Sequence, residues 1–466
     1  MLSVKQTTLR VAVQTLGCKL NQLESESIAE AFSREGFVLS SGDTLGPADI
    51  LVINTCTVTS KSEQKARRLI RKALKDRPDS CVIVTGCYAQ LEAEAIAALE
   101  DVPSPQRRLF VITGDRKTLL LDLPRFLRDQ CRAPNSSSGD LRQALERRLA
   151  LSGDSSTDPF RFNVKDFSFH SRPFLKIQDG CDHACAYCRV SLARGPSVSL
   201  DTETLLSRLA ALEAAGHGEA VLTGVNLNQY RGSGRFAGED LPALLMYLLA
   251  NTRTIALRLS SLEPDGMTDA FFRVLAHRRI RPHFHLSVQS GSPLILEKMR
   301  RAYRPEAVLA AIHRLRSLRD DPFLACDIIT GFPGETPGEF AKTYDLCRRA
   351  DFAWIHAFPY SKRPGTEAFS FKDPVPEREA VNRVEALLGL ARQGRAAYIR
   401  RWAGKTVEAI VEGGQGIALS ENYLKLMLPL PGSIPPGTVL QCRIQGAADP
   451  GEIPAPHFDA IAEIRT

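Results

Sequence analysis

The chain contains no long apolar segment. None of its uninterrupted apolar runs approaches the roughly 18–20 residues that a helix needs to cross a bilayer. Its first seven residues (MLSVKQT) also lack the apolar core and the cleavage site of a secretory signal peptide. From these two absences we expect a cytosolic protein that has no membrane partner.

Disulfide bonds are also unexpected, although the chain has eleven cysteines. Thiols stay reduced in the cytosol, so this number of cysteines favours metal binding or catalysis over a disulfide framework. With 466 residues, of which 44% are hydrophobic and 24% charged, the chain is typical of a globular protein of about two or three domains. Its net charge of +7 is a weak indication of an anionic partner such as nucleic acid.

Three of the cysteines lie close together on one short segment. Cys181, Cys185 and Cys188 follow an apolar run at residues 173–177 with the spacing C-x3-C-x2-C. Thiolates are the soft ligands that a cubane iron–sulfur cluster requires. Because such a cluster has four irons to ligate, three cysteines leave one iron open to a small molecule.

The first third of the chain alternates between strands and helices, which predicts an open parallel α/β sheet. The predicted strands are 9–14, 49–53, 81–84 and 109–112, and the predicted helices are 22–35, 60–75 and 90–100. Cys18, Cys56 and Cys87 each follow the end of a strand. The carboxyl ends of parallel strands share one edge of a sheet, so we expect these three thiols to converge and to ligate a second cluster. The alternative is that they are small core residues, as we expect for Cys81 inside its strand.

The helix predicted after Cys56 is strongly basic. It has only two acidic residues, Glu63 and Asp76, and eight basic ones: Lys61, Lys65, Arg67, Arg68, Arg71, Lys72, Lys75 and Arg77. Such a run is either a solvated helix face or a surface that contacts the phosphates of a nucleic acid.

The middle of the chain is predicted to form an incomplete TIM-like (βα)6 barrel. Its predicted strands are 174–177, 220–223, 255–260, 283–288, 324–330 and 353–359, and its predicted helices are 202–215, 241–251, 267–277, 305–318 and 337–349. The active site of this fold lies at the carboxyl ends of the strands, where the Cys181 loop opens. Beside that loop, Tyr187 is a candidate for stacking on a base. The candidate cofactor contacts at the other strand ends are Gly224, Asn226, Glu263 (for a ribose hydroxyl) and Gln289.

The C-x3-C-x2-C motif is the signature of the radical S-adenosylmethionine (SAM) enzymes, and further motifs make nearly the whole chain resemble the methylthiotransferases of that group. These motifs are residues 15–26 (TLGCKLNQLESE), 54–59 (NTCTVT), 85–90 (TGCYAQ), 193–195 (ARG), 222–226 (LTGVN), 289–292 (QSGS) and 331–335 (GFPGE).

The resemblance implies two [4Fe-4S] clusters and SAM as cofactors, with six catalytic cysteines. One cluster, on Cys181, Cys185 and Cys188, would bind SAM and cleave it to a 5′-deoxyadenosyl radical that takes hydrogen from an unreactive carbon. An auxiliary cluster on the other three, Cys18, Cys56 and Cys87, would deliver sulfur, and a second SAM the methyl group. An electron donor such as flavodoxin or ferredoxin is also implied.

The segment around Cys18 bears on the substrate. Its pattern GCKxNQxES (residues 17–25) resembles the branch of the family that acts on N6-threonylcarbamoyladenosine next to the tRNA anticodon. This resemblance implies that a methylthio group is inserted at C2 of that nucleoside. Alternatives are a methylthiotransferase for isopentenyladenosine tRNA or for a ribosomal protein, a non-catalytic iron–sulfur protein that binds RNA or senses redox state, and a zinc protein that uses the same cysteines.

The end of the chain is predicted to form a small antiparallel β-barrel that resembles the RNA-binding TRAM domain. A long helix (377–401) precedes strands at 406–412, 416–419, 423–427 and 438–444. From Arg401 onward the chain has five Lys or Arg and seven Asp or Glu, which gives a net charge of −2. A segment with this charge is a poor electrostatic platform for RNA. We therefore hypothesise that the basic helix at 61–77 carries more of the RNA contact, the alternative being polar and stacking contacts such as that of Tyr423.

These patterns divide the chain into four segments. Residues 8–122 form the methylthiotransferase domain with the auxiliary cluster, 167–400 the radical SAM domain and 401–466 the TRAM-like domain. Residues 123–166 are rich in Gly, Ser and Pro, and we interpret them as a flexible connector with a short helix at 141–151. Cys131 lies in this connector, and we assign it no role.

Overall fold

The computed structural model of the protein describes residues 9–40, 48–102, 107–130, 138–150, 158–164, 167, 169–413, 416–428, 434–447 and 458–465. The chain forms two compact units. The first comprises Met1–Phe169, Asp179–Asp182 and Arg189–Pro196, and the second His170–Gln178, His183–Cys188 and Ser197–Thr466. None of the helices in these described ranges combines the length and the apolarity needed to span a bilayer.

The first unit contains a five-stranded parallel sheet of order β2-β1-β3-β4-β5, which confirms the predicted open α/β fold. The strands are β1 (Arg10–Thr15), β2 (Val38–Ser40), β3 (Ile50–Thr55), β4 (Cys81–Gly86) and β5 (Leu109–Val111). The helices are α1 (Lys19–Arg34), α2 (Ser60–Asp76), α3 (Cys87–Leu91), α4 (Ala93–Ala97), α5 (Leu119–Gln130), α6 (Ser138–Ala150) and α7 (Val190–Arg194). The short edge strand β2 was not predicted, because three residues are too few to show an alternating pattern.

Both faces of this sheet are covered by apolar side chains, as expected for parallel strands that read as continuous hydrophobic runs. One layer joins Val52 and Ile83 to Phe32 of α1, and the other joins Ile53 and Val84 to Ile70 of α2. Helix α6 lies in the segment interpreted as a connector, and its described side chains Leu141, Ala144 and Leu145 are buried in the first layer. The predicted short helix is thus confirmed, whereas Cys131 lies outside the described residues.

The structure differs from the sequence prediction after β4, where two short helices replace the single helix expected at 90–100. Glu92, between α3 and α4, leaves the helical region with φ −137° and ψ 38°. Its carboxylate accepts a hydrogen bond of 2.8 Å from Nη2 of Arg189. Arg189 is buried, so this distant partner, which the local sequence does not reveal, holds the chain at the break.

The second unit contains the predicted incomplete (βα)6 barrel. Its six strands are β6 (Phe174–Lys176), β9 (Glu219–Thr223), β10 (Ala256–Leu259), β11 (His283–Gln289), β12 (Phe323–Thr330) and β13 (Trp354–Pro359). Two parallel sheets, β10-β9-β6 and β11-β12-β13, are joined by isolated parallel bridges at Leu257–Ile280 and Leu262–Leu286. The two-residue strands β7 (Gln178–Asp179) and β8 (Val198–Ser199) lie outside these sheets. The helices are α8 (Thr202–Ala214), α9 (Leu241–Asn251), α10 (Asp269–Leu275), α11 (Pro293–Lys298), α12 (Pro305–Leu318), α13 (Pro337–Ala350) and α14 (Glu377–Trp402).

The C-terminal barrel is closed and has five strands, one more than predicted. They are β14 (Thr406–Glu412), β15 (Ile417–Ser420), β16 (Lys425–Met427), β17 (Val439–Ala447) and β18 (Ala460–Ile464), in the order β14-β15-β16-β18-β17. The unpredicted strand β18 pairs antiparallel with β17 but parallel with β16. Closure removes the open sheet edges that a four-stranded version would leave.

Three acidic residues of this barrel form ion pairs with arginines outside it, within the second unit. Glu408 forms an ion pair with Arg281, and Glu412 lies 2.9 Å from Arg172. Asp459 pairs with Arg395 of α14 at 2.5 Å. These three carboxylates are therefore compensated by arginines and do not add free negative charge to the barrel surface.

A single buried carboxylate, Glu219 at the start of β9, lies at the centre of this network. It accepts hydrogen bonds from Arg258 at 2.6 Å and from Arg281 at 2.8 Å, and Arg172 lies 3.4 Å away. Burial alone would raise the pKa of Glu219, but the three guanidinium groups hold it at about 2. Glu219 is thus the anion that compensates arginines shared with the barrel.

Candidate iron–sulfur sites

The structure places Cys18, Cys56 and Cys87 at the carboxyl ends of three neighbouring strands, β1, β3 and β4. Cys18 is the residue before α1, Cys56 directly follows β3, and Cys87 is the first residue of α3. Burial raises the pKa of the Cys56 thiol to about 11, and the nearby Cys18 and Cys87 add to the rise. The expected convergence of the three thiols at one sheet edge is therefore present.

Two glycines allow the strand ends to approach each other. Gly17 has φ +112°, and a Cβ added to it would lie 2.8 Å from the Cβ of Cys56. Gly86 has φ +101°, and its added Cβ would lie 2.3 Å from the carbonyl oxygen of Thr55. A side chain at either position would combine an unfavourable backbone conformation with a collision, so both glycines help to bring the cysteine loops together.

Buried amide side chains fix the same edge by hydrogen bonds. Asn21 Nδ2 donates to the carbonyl oxygens of Leu16 and Thr55, at 2.8 and 3.0 Å. Asn54 Nδ2 donates to the carbonyl oxygen of Asn21 at 3.0 Å and to Ser25 Oγ at 3.2 Å. These amides bind β1, β3 and α1 to each other beside the cysteines, a positioning role that the motif positions alone did not reveal.

The motif ARG at residues 193–195 supplies a buried cation to this edge. Arg194 donates to Glu24 and Asp179 at 3.0 Å and to Asn21 Oδ1 at 2.8 Å, while Lys117 Nζ lies 2.5 Å from Glu24. Burial alone disfavours the guanidinium, but Asp179, Cys87, Glu24 and Cys18 hold the pKa of Arg194 well above its usual range. A permanent positive charge therefore lies near two of the three thiols.

The second cysteine set occupies the segment after β7. Cys181, which belongs to the first unit, donates its backbone N–H to Gly195 O at 3.1 Å. Cys185 and Cys188 belong to the second unit and are joined by a 3.1 Å hydrogen bond from Cys188 N to Cys185 O. Between them, Ala186 N donates to Met299 O at 3.1 Å. Backbone hydrogen bonds thus determine the path of the segment on both sides of Cys185.

A buried arginine that the sequence did not single out contacts the thiol of Cys185. Arg301 Nη1 donates to Cys185 Sγ at 3.2 Å, and Nε donates to the hydroxyl of Tyr303 at 3.2 Å. Its other nitrogen forms an ion pair with Glu263. Hydrogen bonds to ligand sulfurs and nearby charge are two of the factors that set the potential of an iron–sulfur cluster.

Asn226 is the candidate cofactor contact that the geometry favours most. Its backbone N–H donates to Gln178 Oε1 at 2.9 Å, and its Oδ1 accepts from Asn228 N at 3.1 Å. Its Nδ2 is buried and has no hydrogen-bond partner among the described residues, which fits a contact with a polar ligand. Gly224, in contrast, is explained by packing, since an added Cβ would lie 2.8 Å from Gln178 Oε1.

The other candidate contacts have partners or strain of their own. The carboxylate of Glu263 faces Arg301, so a ribose contact by this residue remains a proposal. Gln289 ends β11 with φ +62°, a strained conformation of the kind that clusters at ligand sites. Tyr187 packs against the apolar cluster of Ala186 and Phe332, and base stacking by its ring also remains a proposal.

Two of the quoted motifs stabilise the barrel loops. In 289–292, Ser292 caps α11 by accepting a hydrogen bond from Ile295 N at 3.1 Å. In 331–335, the carboxylate of Glu335 accepts from Gly331 N and from Arg383 Nη1, both at 2.6 Å. Both motifs therefore have structural explanations.

The donor chemistry of both cysteine sets fits iron–sulfur clusters. All ten cysteines in the described residues are free of disulfide bonds. Within the same residues, no three His, Cys, Asp or Glu side chains are arranged to hold a single metal ion. A cubane is ligated through separate irons, so its cysteines need not converge on one point.

Comparison with known proteins identifies two families along the chain. Residues 10–104 match the uncharacterized protein family UPF0004, and residues 175–347 match the radical SAM superfamily. A threonylcarbamoyladenosine tRNA methylthiotransferase MtaB of Treponema pallidum is 44% identical over 89% of this chain and 94% of its own length. The Bacillus subtilis protein of that name is 33% identical over 90% of both chains. A tRNA-2-methylthio-N(6)-dimethylallyladenosine synthase of Sphingopyxis alaskensis is 31% identical over 97% of this chain and 98% of its own.

Proposed function

The chain belongs to the threonylcarbamoyladenosine tRNA methylthiotransferase (MtaB) family of radical SAM enzymes, and from this we propose that it inserts a methylthio group at C2 of N6-threonylcarbamoyladenosine beside the tRNA anticodon. The observation that carries the proposal is the 44% identity to the Treponema pallidum enzyme over 94% of that enzyme's length. The two sets of three cysteines support it, because the reaction needs both a radical and a sulfur source.

The proposed cofactors are two [4Fe-4S] clusters and SAM. Cys181, Cys185 and Cys188 would hold the cluster that binds SAM, and Cys18, Cys56 and Cys87 the auxiliary cluster. When bound, these groups supply the radical, the sulfur and the methyl group. The chain itself positions the thiols through Gly17, Gly86 and the buried amides, places Arg194 near the auxiliary set, and donates a hydrogen bond from Arg301 to Cys185. A small redox protein such as flavodoxin or ferredoxin is the proposed electron donor.

The outer face of α2 supports a tRNA partner, as hypothesised from the sequence. Six of its cations are exposed, namely Lys61, Lys65, Arg68, Arg71, Lys72 and Lys75, and within the described residues none of them is in an ion pair. Glu63, on the same helix, faces inward and is buried beside Thr57 and Arg189. Because tRNA is the proposed substrate, we place the reaction in the cytoplasm.

The test of this function is nucleoside mass spectrometry of tRNA from a strain that lacks the gene. We expect the methylthio form of threonylcarbamoyladenosine to disappear and to return with the wild-type gene. Loss of methylthio-isopentenyladenosine instead would assign the enzyme to the other tRNA branch. An unchanged nucleoside profile would contradict both and favour a ribosomal-protein substrate or a non-catalytic role.

Purified variants separate the two cysteine sets. Cys185→Ala is expected to abolish formation of 5′-deoxyadenosine from SAM. Cys56→Ala is expected to keep that cleavage but to lose methylthiolation. Cys442→Ala, which removes a buried thiol of the C-terminal barrel, is the control and should retain both activities. Retention of both by Cys56→Ala would contradict the proposed auxiliary site.

A further inference from the structure

A polar cluster lies on the inner face of the (βα)6 barrel. On β11 and β12 the residues that alternate with buried apolar ones are partly exposed and include His285 and Asp327. His285 Nδ1 shares a 3.3 Å hydrogen bond with Ser261 Oγ. His285 Nε2 lies 3.1 Å from Asp327 Oδ1, but without hydrogen-bond geometry, so this buried nitrogen has no hydrogen-bond partner among the described residues.

Aromatic side chains continue this face onto β13, the edge strand of its sheet. Trp354, His356 and Phe358 alternate with the buried Ile355 and therefore project from the same side of the strand. The rings of His356 and Phe358 are nearly parallel, with an angle of 5° and centroids 6.5 Å apart. The ring of His285 lies 5.1 Å from that of His356, which joins the aromatic row to the polar cluster. Phe358 is 44% exposed.

Packing explains Trp354, which lies against the apolar cluster of α14 and the C-terminal barrel, but it does not explain the other residues of this face. The interior of a complete (βα)8 barrel is filled mainly by Val, Ile and Leu, whereas this inner face carries two histidines, an aspartate and an exposed phenylalanine. A buried nitrogen without a partner costs stability unless a ligand or water satisfies it. The side chains of His285 and Asp327 are 18% and 25% exposed, so part of each side chain is accessible to a ligand.

The cluster lies close to the segment of Cys185. Ile329 follows Asp327 by two residues on β12, and it packs against the apolar cluster that contains Ala186 and Phe332. Two residues of a strand span about 7 Å. A molecule held by the polar cluster would therefore lie near the segment that carries Cys185.

We propose that this face of β11–β13 is the binding site for the target nucleoside, turned out of its RNA strand. His356 and Phe358 of β13 stack on the adenine ring. His285 donates a hydrogen bond to a carbonyl or carboxylate oxygen of the N6 substituent, and Asp327 accepts one from its hydroxyl group. This inference rests on the proposed function and names the residues that determine its substrate.

The chemistry of the face suits a polar substituent. Bases in single-stranded loops are commonly recognised by stacking on Phe, Tyr, Trp or His. A site built to hydrogen-bond its substrate rejects an analogue that lacks those groups, because its own polar atoms are then left unpaired. The isopentenyl group of the other tRNA branch offers no hydrogen-bonding atom, so His285 Nε2 and Asp327 would disfavour it.

The experiment compares two anticodon stem–loops, one with N6-threonylcarbamoyladenosine and one with N6-isopentenyladenosine, as substrates of the reconstituted full-length enzyme. For His285→Leu and for Asp327→Asn we expect the preference for the polar substrate, given as kcat/KM for the threonylcarbamoyladenosine stem–loop divided by kcat/KM for the isopentenyladenosine stem–loop, to fall at least tenfold. The cause is a higher KM for the polar substrate. For Phe358→Ala we expect both stem–loops to bind about 5- to 150-fold more weakly, since a base–aromatic stack is lost. His313→Leu, at an exposed position of α12, is the matched control.

Binding provides a readout that is independent of turnover. Fluorescence of Trp354, the more exposed of the two tryptophans, should change when the polar stem–loop binds the wild type, and this change should be lost in Phe358→Ala. If Asp327→Asn, which keeps the shape of the side chain, affects both stem–loops equally or neither, the assignment of the substituent site is wrong. If the wild-type enzyme modifies neither stem–loop, the proposed function itself fails, and this inference fails with it.

Discussion

The cationic face of α2 permits a quantitative prediction about RNA binding. Lys65, Arg68 and Arg71 are exposed neighbours on this helix, and like charges at such spacings destabilise a helix by about 0.2–0.5 kcal/mol per pair. No acidic side chain offsets them on the outer face, because Glu63 is buried against Arg189 and Asp76 is the last residue of the helix. This repulsion lowers the stability of the free protein. Such an uncompensated cationic face is expected when it serves to bind a polyanion.

The magnitude follows from counterion release. Each phosphate contact contributes roughly 0.7 (single strand) to 0.9 (duplex) to the slope of log K against log salt concentration. Replacing Lys65, Arg68 and Arg71 together by Gln should therefore reduce the slope by about 2–3. Raising the salt from about 50 to about 200 mM should then weaken wild-type binding about 20- to 40-fold more than it weakens binding by the triple variant.

The assay is fluorescence anisotropy of a labelled substrate tRNA titrated with enzyme at four or more salt concentrations. The matched control removes Lys342, Arg348 and Arg349 of α13, which are equally exposed but are paired with Glu339 or Asp345. The control has the same change in net charge, so its slope reports any unspecific effect. Equal slopes for the wild type and the α2 variant, or equal losses in both variants, would refute the proposed contact.

Two further predictions concern single charged groups. Arg301→Gln removes a hydrogen-bond donor and a positive charge beside Cys185, so the midpoint potential of the proposed SAM cluster should become more negative, by about 59 mV if the reduced fraction changes tenfold. The potential is followed by electron paramagnetic resonance in a Cys18/Cys56/Cys87→Ala background. Arg300→Gln, an exposed neighbour paired with Glu367, should leave the potential unchanged, and an unchanged potential in Arg301→Gln would contradict the role. Glu219→Gln should lower the free energy of unfolding at pH 7 by about 3–5 kcal/mol, because it leaves buried arginines uncompensated. The pKa of Glu219 in the folded chain, about 2, is below its ordinary value of 4.5, so the contribution of Glu219 to stability is present above pH 4.5 and is lost as the pH falls towards 2. The free energies of unfolding of the wild type and Glu219→Gln, measured with denaturant, should therefore differ less at low pH. A difference that does not change with pH would be inconsistent with this assignment.

The positions of the two cysteine sets in the fold could be predicted because they depend on sequence spacing and on the order of strands and helices. Cys181, Cys185 and Cys188 lie within a segment of eight residues, and Cys18, Cys56 and Cys87 need only the rule that parallel strand ends share an edge. The apolar runs of β3 and β4 make that rule applicable. The roles of the six cysteines stay predictions until the variants above are measured.

Charged partners that are distant in the chain could not be predicted. Arg301 contacts a thiol 116 residues away, and Arg189 pairs with Glu92, 97 residues away. Neither arginine differs in its local sequence from a solvated one, so only tertiary structure reveals its partner. The same holds for Glu408 and Glu412, whose charges the sequence count assigned to the barrel surface.

The ion pairs around Glu219 also determine how far the C-terminal barrel can be treated as an independent module. A chain that ended at residue 400 would keep Arg172 and Arg281 but lose Glu412 and Glu408, their barrel partners. Glu219 alone would then face three guanidinium groups, and uncompensated buried charge is strongly destabilising. Exchange of this barrel between relatives should therefore succeed only when Arg172 and Arg281 are exchanged with it. The barrel and the rest of the second unit are then expected to evolve together.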